Sequence, residues 1–246
     1  MRIIVLTLLF FHSLIAMASD TTVRFEQWGV KQGMSQNSVL FSVQDHRGYL
    51  WFATQDGLNR FDGYEFKVFR HSPADSGSIS DNLVNTLFVD SKGTLYAGTH
   101  GGGLNRYNEQ TEQFTHYRHI PEDPHSISNN NVEAIIEDKN GQYWVGTESG
   151  LNRFDPDTGR FERFYHDPQD VNSLSSDFIS GIATDDDGVL WIGTFGGGLN
   201  QFNPKLGRFV RYRFDSSSPG SLSNGRIWSV LLDSKGVLWI STLAPG

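Results

Sequence analysis

The chain has 246 residues, a formal net charge of −8 and no cysteine. An acidic chain is poorly suited to bind nucleic acid or an anionic membrane surface, and without cysteine it can form neither a disulfide nor a thiolate metal site. Its 26 glycines and 13% aromatic residues are typical of short β-strands joined by tight turns.

The first 18 residues have the three parts of a secretory signal peptide. Arg2 supplies the positive charge, residues 3–16 are mostly apolar, and residues 16–18 read Ala-Met-Ala, which is a small-residue cleavage pattern. An uncleaved membrane anchor is the alternative, but about 14 apolar residues are fewer than the roughly 20 that span a bilayer. The sequence therefore predicts a mature chain of residues 19–246 in the periplasm, without a further membrane-spanning segment.

The mature chain is built from a repeat of nearly constant length. Its clearest marker is a short run that ends in threonine and recurs every 45 to 48 residues, at Thr54, Thr99, Thr147, Thr194 and Thr242. This period is close to that of β-propeller blades and long for a helical repeat. Each copy holds four strand-like pieces, so the predicted fold class is all-β: a β-propeller of four-stranded antiparallel blades.

Two features of the repeat have a physical explanation. An Asp-x-x-Gly segment follows the first strand of every copy, as at residues 45–48 and 138–141. The Asp carboxylate can accept a backbone N–H two residues on, and glycine supplies the left-handed residue that closes a hairpin. The second strand carries a tryptophan that we expect to fill the gap between blades, replaced by tyrosine in the second copy: Trp51, Tyr96, Trp144, Trp191 and Trp239.

The ends of the chain predict an incomplete propeller of about 4.5 blades. The predicted ranges are a closing strand at about 23–28, blades at about 37–70, 82–118, 130–165 and 177–213, and a partial fifth blade at about 225–242. Residues 25–28 match the fourth strand of a later blade, and an N-terminal strand of this kind completes the last blade of a closed ring. Since residues 243–246 stand where a third strand should begin, we expect a truncated N-terminal part of a larger ring.

The repeat resembles the two-component regulator propeller repeat. The resemblance rests on one set of residues and on its four later copies: Asn37, Val39, Asp45, Gly48, Leu50, Trp51, Thr54, Gly57 and Leu58. This sequence departs from the family pattern at two points. Tyr96 stands in place of tryptophan in the second copy, and the fifth copy lacks the Gly-Leu pair that follows the threonine. The resemblance implies the periplasmic sensor region of a hybrid histidine kinase or a GGDEF diguanylate cyclase, usually with seven-bladed propellers, an inner-membrane helix and a cytoplasmic output domain. Any kinase or cyclase activity would then lie in a missing C-terminal region.

The histidines suggest structure rather than chemistry. His71, His119 and His166 each lie five residues after an aromatic residue of the fourth strand, so they are one repeat position seen three times. No acid–base pair or cofactor motif stands out. We therefore expect no catalytic residue, no metal site and no cofactor.

The positions that differ between copies are the candidates for function. Directly after the repeated threonine come Gln55, His100, Glu148, Phe195 and Leu243. The loop after the second strand and the loop between blades lie on the same face of a propeller, where a uniform scaffold can present a variable recognition surface. The predicted ligand-binding residues, for a small polar ligand such as a saccharide, are Gln55, Asp56, His100, Glu148, Phe195 and Arg226. Sequence drift at exposed loop tips is the alternative.

Three functions are consistent with these patterns. The first is an extracytoplasmic sensor that binds a ligand and catalyses nothing itself. The second is a periplasmic propeller enzyme, such as a lyase or glycosidase, which needs unmatched histidines or carboxylates clustered at one channel mouth. Only His100 and Glu148 qualify, and their loops belong to different blades, so we expect them to lie apart. The third is a protein-interaction scaffold with no small ligand.

Overall fold

The computed structural model describes residues 25–243. The predicted signal peptide and residues 23 and 24 of the predicted closing strand lie outside the described residues. The described part forms five antiparallel sheets in chain order, four with four strands and one with two. The β-propeller architecture that the repeat predicts is confirmed.

Each sheet pairs its strands in sequence order and forms one blade. The first blade comprises β1 (Val39–Gln44), β2 (Leu50–Thr54), β3 (Gly57–Phe61) and β4 (Phe66–Phe69). The second comprises β5 (Val84–Val89), β6 (Leu95–Thr99), β7 (Leu104–Asn108) and β8 (Gln113–Tyr117). The third comprises β9 (Val132–Glu137), β10 (Tyr143–Thr147), β11 (Gly150–Asp155) and β12 (Arg160–Phe164). The fourth comprises β13 (Ile179–Thr184), β14 (Leu190–Thr194), β15 (Gly198–Asn203) and β16 (Arg208–Tyr212), and the fifth has only β17 (Ile227–Leu232) and β18 (Leu238–Thr242).

Neighbouring blades contact each other through their first strands, which places these strands nearest the centre of the arc. The only helical element among residues 25–243 is a single 3-10 turn, Val30–Gln32. The described residues therefore contain no helix with the length and hydropathy needed to cross a bilayer.

Residues 25–28 form no strand. Trp28 instead packs against blade 1, with its ring centroid 4.8 Å from that of Phe61 and 6.2 Å from that of Phe66. The predicted closing strand is thus not formed against any of the five described sheets. A strand at this position in a longer chain stays a prediction.

The Asp-x-x-Gly turns form as expected. In blade 3, Asp138 Oδ1 accepts the backbone N–H groups of Asn140 and Gln142 at 2.9 and 3.0 Å, and Gly141 is left-handed with φ +75°. Asp138 Oδ2 also accepts the indole N–H of Trp144 at 3.0 Å. One carboxylate therefore closes the hairpin and orients the tryptophan of the following strand.

The second blade uses a different partner for the same carboxylate. Its second strand carries Tyr96 in place of tryptophan, and Asp90 Oδ2 accepts the hydroxyl of Tyr143 from blade 3 at 2.8 Å. Burial, reinforced by this bond, raises the pKa of Tyr143. The weaker copy of the repeat is thus linked to its neighbour by a hydrogen bond.

The aromatic residues of the second strands fill the gaps between blades, as predicted. Trp51 is 1% exposed and lies 5.0 Å from the ring of Tyr107 in blade 2. Trp144 is 1% exposed and lies 5.6 Å from the ring of Phe202 in blade 4. Trp239 of the fifth sheet is 60% exposed, because no further described blade covers it.

A buried polar network fixes the loop that enters each complete blade. In blade 3, Asn152 Oδ1 accepts the backbone N–H of Ser128 at 2.9 Å, and Asn152 Nδ2 donates to Ser128 Oγ at 2.8 Å and to the Val145 carbonyl at 3.1 Å. The hydroxyls of Ser128 and Thr147 are 2.8 Å apart. Because these groups satisfy one another, a polar cluster can be buried here at little net cost.

The repeated histidines belong to the same framework. The ring Nδ1 atoms of His71, His119 and His166 lie 2.6 to 2.9 Å from loop carbonyl oxygens of Ile79, Ile127 and Leu174, respectively. Each backbone N–H donates to an Asn or Asp side chain eleven residues on. These rings are structural, as their fixed place in the repeat indicates.

Candidate ligand-binding rim

One edge of every sheet brings together the positions at which the repeat varies. In blade 1, Val39 is paired with Thr54, so the start of the first strand lies beside the end of the second. We call this edge the rim and define it by three positions in each blade. They are the residue before the first strand (Ser38, Leu83, Asn131, Phe178, Arg226), the second residue of that strand (Leu40, Asn85, Glu133, Ser180, Trp228), and the residue after the repeated threonine (Gln55, His100, Glu148, Phe195, Leu243).

Backbone hydrogen bonds hold the rim positions in place. Within blade 3, the Glu148 N–H donates to the Asn131 carbonyl at 3.1 Å, and the equivalent bond in blade 4 joins Phe195 to Phe178 at 2.9 Å. Between blades, the turn after the second strand is bonded to the segment that leads into the next blade, as where Gly150 N–H donates to the Asp177 carbonyl at 2.7 Å. The variable side chains thus project from a rigid, repeated backbone.

The second residue of each first strand lies at a β-bulge. The pairing register is interrupted there in all five blades, for example between Val132 and Ala134 opposite residues 146 and 147. A bulge leaves one residue unpaired and changes the direction of its side chain. Asn85 and Glu133 occupy this position in blades 2 and 3.

His100, Glu133 and Glu148 form a compact group at the rim between blades 2 and 3. One potential ligand atom from each lies within 4.8 Å of the others. An antiparallel bridge pairs His100 with Asn131, while Glu148 is bonded to Asn131 from its own blade. The expectation that His100 and Glu148 lie apart is therefore wrong, because the loop after β6 reaches across to the leading segment of the next blade.

Two asparagine amides orient the carboxylates of this group. Asn85 Nδ2 donates to Glu133 Oε1 at 3.0 Å, and Asn131 Nδ2 donates to Glu148 Oε2 at 2.6 Å. Burial raises the pKa of Glu133, and the negative charge of Glu148 raises it further. The charge interaction with His100 and the hydrogen bond from Asn85 lower this pKa in part. The group can therefore bind a proton or a cation.

A second group lies at the rim between blades 4 and 5. The Arg226 guanidinium is 5.7 Å from the centroid of the Phe195 ring, and an antiparallel bridge pairs these two residues. The Phe178 ring lies 5.3 Å from that of Phe195. Phe178 and Phe195 are half-buried and Arg226 is exposed, so this group offers an aromatic face beside a cation.

The two predicted residues of blade 1 form a third, separate group. The Gln55 N–H donates to Gln36 Oε1 at 3.1 Å, and Asp56 forms an ion pair with Arg70 at 2.9 Å. Within the described part of the chain, no hydrogen bond or ion pair joins these residues to the other four predicted positions. The structure thus pairs His100 with Glu148 and Phe195 with Arg226, and leaves Gln55 and Asp56 apart from both pairs.

The sequence interpretation missed Asn85, Asn131, Glu133 and Phe178. The signal was available, because their positions also differ from blade to blade. Asn85 and Glu133 fall inside predicted strands, whose side chains usually pack in the core, so the sequence pattern assigns them no binding role.

A depression on the opposite face, between blades 1 and 2, has a structural explanation. Arg60 lies 4.8 Å from the Tyr49 ring centroid, forms an ion pair with Glu112 at 3.2 Å and donates to the Tyr107 hydroxyl at 3.3 Å. Burial raises the pKa of Tyr107 to about 12. These polar groups satisfy one another and join two blades.

Sequence comparison places the repeat in a known group. The two component regulator propeller model matches residues 126–149, 173–196 and 221–244. Each match runs from the loop that enters a blade to two residues past the end of its second strand, so it contains all three rim positions. A histidine kinase of Formosa agariphila is 46% identical over 63 residues, which are 26% of this chain and 5% of that protein.

Solved structures share the architecture. The extracellular domain described as that of a hybrid two component system from B. thetaiotaomicron is 31% identical, with a TM-score of 0.76, and the match covers 88% of this chain and 29% of that chain. Virginiamycin B lyase from Staphylococcus aureus is 13% identical over 85% of this chain and 71% of that chain, with a TM-score of 0.56, which shows a shared fold alone. The chain thus spans less than a third of the histidine kinase and of the extracellular domain that it resembles. Three copies of the repeat thus match the two component regulator propeller repeat, and the chain is similar over most of its length to the extracellular domain of a two component system.

Proposed function

We propose that this chain is the N-terminal part of a periplasmic receptor, which binds a small polar ligand at the rim and passes a conformational change to a signalling region elsewhere in the protein. The observation that carries the proposal is the contrast between scaffold and rim. The turns, interblade aromatics and polar networks recur from blade to blade, whereas the rim side chains differ at three positions in each blade. A scaffold that is held constant while one edge varies suits recognition.

The composition of the rim favours a polar ligand such as a saccharide. Carboxylates and amides between blades 2 and 3 can accept and donate hydrogen bonds to hydroxyls. The Phe178 and Phe195 rings between blades 4 and 5 can pack against the apolar face of a sugar ring, with the exposed Arg226 at its edge. Pockets of this kind combine aromatic area with a few polar groups that fix orientation.

The receptor proposal includes further chain beyond the five sheets. Trp239 and Trp228 of the fifth sheet are 60% and 63% exposed, whereas Trp51 and Trp144 at the position of Trp239 are 1% exposed. A sixth blade would cover this face, and a two-stranded sheet is marginal by itself. The output would be a histidine kinase or diguanylate cyclase domain across the inner membrane, and the propeller itself would catalyse nothing.

The reading frame after codon 246 tests the receptor proposal. We expect it to continue into further four-stranded repeats, a membrane-spanning helix and a signalling domain. A stop codon with no related sequence downstream would contradict the proposal. A fusion of residues 1–30 to alkaline phosphatase tests export separately, since this enzyme folds to its active form only in the periplasm; an inactive fusion would contradict periplasmic localisation.

The ligand site is tested in the full-length receptor. We expect Phe195→Ala and Glu148→Ala to weaken the signalling response to a saccharide mixture without lowering the melting temperature. Lower stability with an unchanged response would contradict a binding role for the rim.

A further inference from the structure

We infer that His100, Glu133 and Glu148 bind a first-row divalent transition metal ion, best represented by Zn²⁺, at the rim between blades 2 and 3. The inference does not depend on the signalling role or on a saccharide. It rests on three donors from three separate elements: the turn after β6, the bulge of β9 and the end of β10.

The donor set matches the chemistry of zinc. One imidazole and two carboxylates provide nitrogen and oxygen ligands of the kind that zinc binds at about 2.0–2.2 Å. Calcium takes six to eight oxygen ligands, which is more than this group offers. Three protein ligands would leave a fourth position for water or for a ligand of the receptor.

The spacing of the donors suits a single ion. The three atoms lie within 4.8 Å of one another, whereas the donors of a tetrahedral zinc site are roughly 3.3–3.5 Å apart, given its bond lengths. His100 is exposed, while Glu133 and Glu148 are half-buried. A small rotation of the exposed ring can therefore complete the site without moving the blades.

The surroundings orient the donors as metal sites require. Asn85 and Asn131 each donate an amide hydrogen bond to one oxygen of a carboxylate, which leaves the second oxygen of each carboxylate for the ion. Such outer hydrogen bonds fix ligand orientation, and their loss typically weakens metal binding by about 10–100-fold. In residues 25–243 the His100 ring makes no hydrogen bond, unlike the rings of His71, His119 and His166, whose Nδ1 atoms lie against loop carbonyls.

The positions of the three ligands also separate them from the structural framework. None of the three side chains recurs at the equivalent position of another blade. His100 and Glu148 both follow the repeated threonine, where the other blades have Gln55, Phe195 and Leu243. At the position of Glu133 the other blades have Leu40, Asn85, Ser180 and Trp228. The framework forms in the other blades without these side chains. A requirement of the fold therefore does not explain their convergence.

The test is a titration of the mature chain, residues 19–246, with ZnCl₂ by isothermal titration calorimetry after treatment with EDTA. We expect one site per chain and a higher melting temperature with zinc. His100→Ala and Glu133→Gln should each weaken binding by at least about 10-fold, and Asn85→Ala by about 10-fold. With Co²⁺ in place of zinc, the visible absorption bands of a low-coordinate site should appear in the wild type and be lost in His100→Ala.

Matched controls separate this site from weak surface binding. His125 and Glu122 are exposed residues of the loop between blades 2 and 3, and His125→Ala and Glu122→Gln should leave the affinity unchanged. Circular dichroism and melting in EDTA establish that the ligand variants fold. Absence of a zinc site in the wild type, or binding retained in both His100→Ala and Glu133→Gln, would overturn the inference. Neither result would affect saccharide binding measured in EDTA, which tests the proposed function independently.

Discussion

Trp144 and Trp239 occupy the same position of the repeat but differ in burial, so they form a matched pair for testing how blades stabilise one another. Each indole N–H donates to the Asp of its own turn, at 3.0 Å for Trp144 and 2.9 Å for Trp239. Trp144 is 1% exposed and packs against Phe164 and Phe202, whereas Trp239 is 60% exposed. Alanine at either position removes the equivalent hydrogen bond. The two variants differ mainly in the interblade contact that is lost, which is large for Trp144 and small for Trp239.

The expected losses follow from the buried areas. A fully buried tryptophan removes about 150–250 Å² from water, which at about 25 cal/mol/Å² corresponds to roughly 4–6 kcal/mol as an upper estimate. Large aromatic truncations in cores cost about 3–5 kcal/mol, and we expect this loss for Trp144→Ala. Trp239 buries about two-fifths of its surface, so Trp239→Ala should cost about two-fifths of that loss, roughly 1–2 kcal/mol.

The assay is urea unfolding of residues 19–246, followed by far-UV circular dichroism, which does not depend on tryptophan fluorescence. Because each blade contacts only its neighbours, unfolding can occur in more than one step, and the loss in Trp144→Ala should appear in the transition of the central blades. Equal losses for the two variants would refute the reasoning, since they would mean that the interblade contact contributes little.

Three further predictions concern the framework, with urea unfolding as the measurement. Asn152→Ala should cost about 1–3 kcal/mol, because it leaves the buried Ser128 N–H without its acceptor. A loss below about 1 kcal/mol would contradict the role of the network. Burial raises the pKa of Tyr96, so the folded state keeps a proton that the unfolded state loses above about pH 10. The stability present below that pH should fall as pH rises, and Tyr96→Phe should flatten this fall; an unchanged fall in Tyr96→Phe would contradict this origin. Gly103 has φ +83°, and an added Cβ would overlap the Tyr117 carbonyl oxygen. Gly103→Ala should therefore destabilise the fold by more than the roughly 1–2 kcal/mol of left-handed strain. The control is Gly207, at φ +64° with open space around it, where alanine should cost no more than that strain.

The repeat made most of the fold predictable. The spacing of Thr54 and its later equivalents indicates the blades, and the Asp-x-x-Gly segments indicate the turns that the structure contains. The structural role of His119 also follows from its fixed place in the repeat. These features depend on short-range contacts that recur, so one copy of the pattern supports the next.

The rim was only partly predictable because its geometry depends on contacts between blades. Glu133 lies inside a strand, and its part in the group with His100 depends on a bulge that the sequence does not reveal. His100 and Glu148 are 48 positions apart in the chain, and they meet because the turn after β6 is bonded to the segment that begins blade 3. The sequence indicates that these positions vary, but only the packing of neighbouring blades shows which of them meet.

The central claim is that the rim, where the repeat varies, is the binding surface of this propeller. Its most direct test is calorimetric titration of the full periplasmic region of the proposed receptor with neutral and acidic oligosaccharides, comparing the wild type with Phe195→Ala at the rim and with Tyr64→Ala. Tyr64 is 89% exposed in the turn between β3 and β4, at the opposite edge of the sheet. We predict that a saccharide binds the wild type and Tyr64→Ala equally and binds Phe195→Ala at least about 10-fold more weakly, a difference of about 1.4 kcal/mol. Binding that is lost in Tyr64→Ala and kept in Phe195→Ala, or no binding of any saccharide to the wild type, would contradict the account.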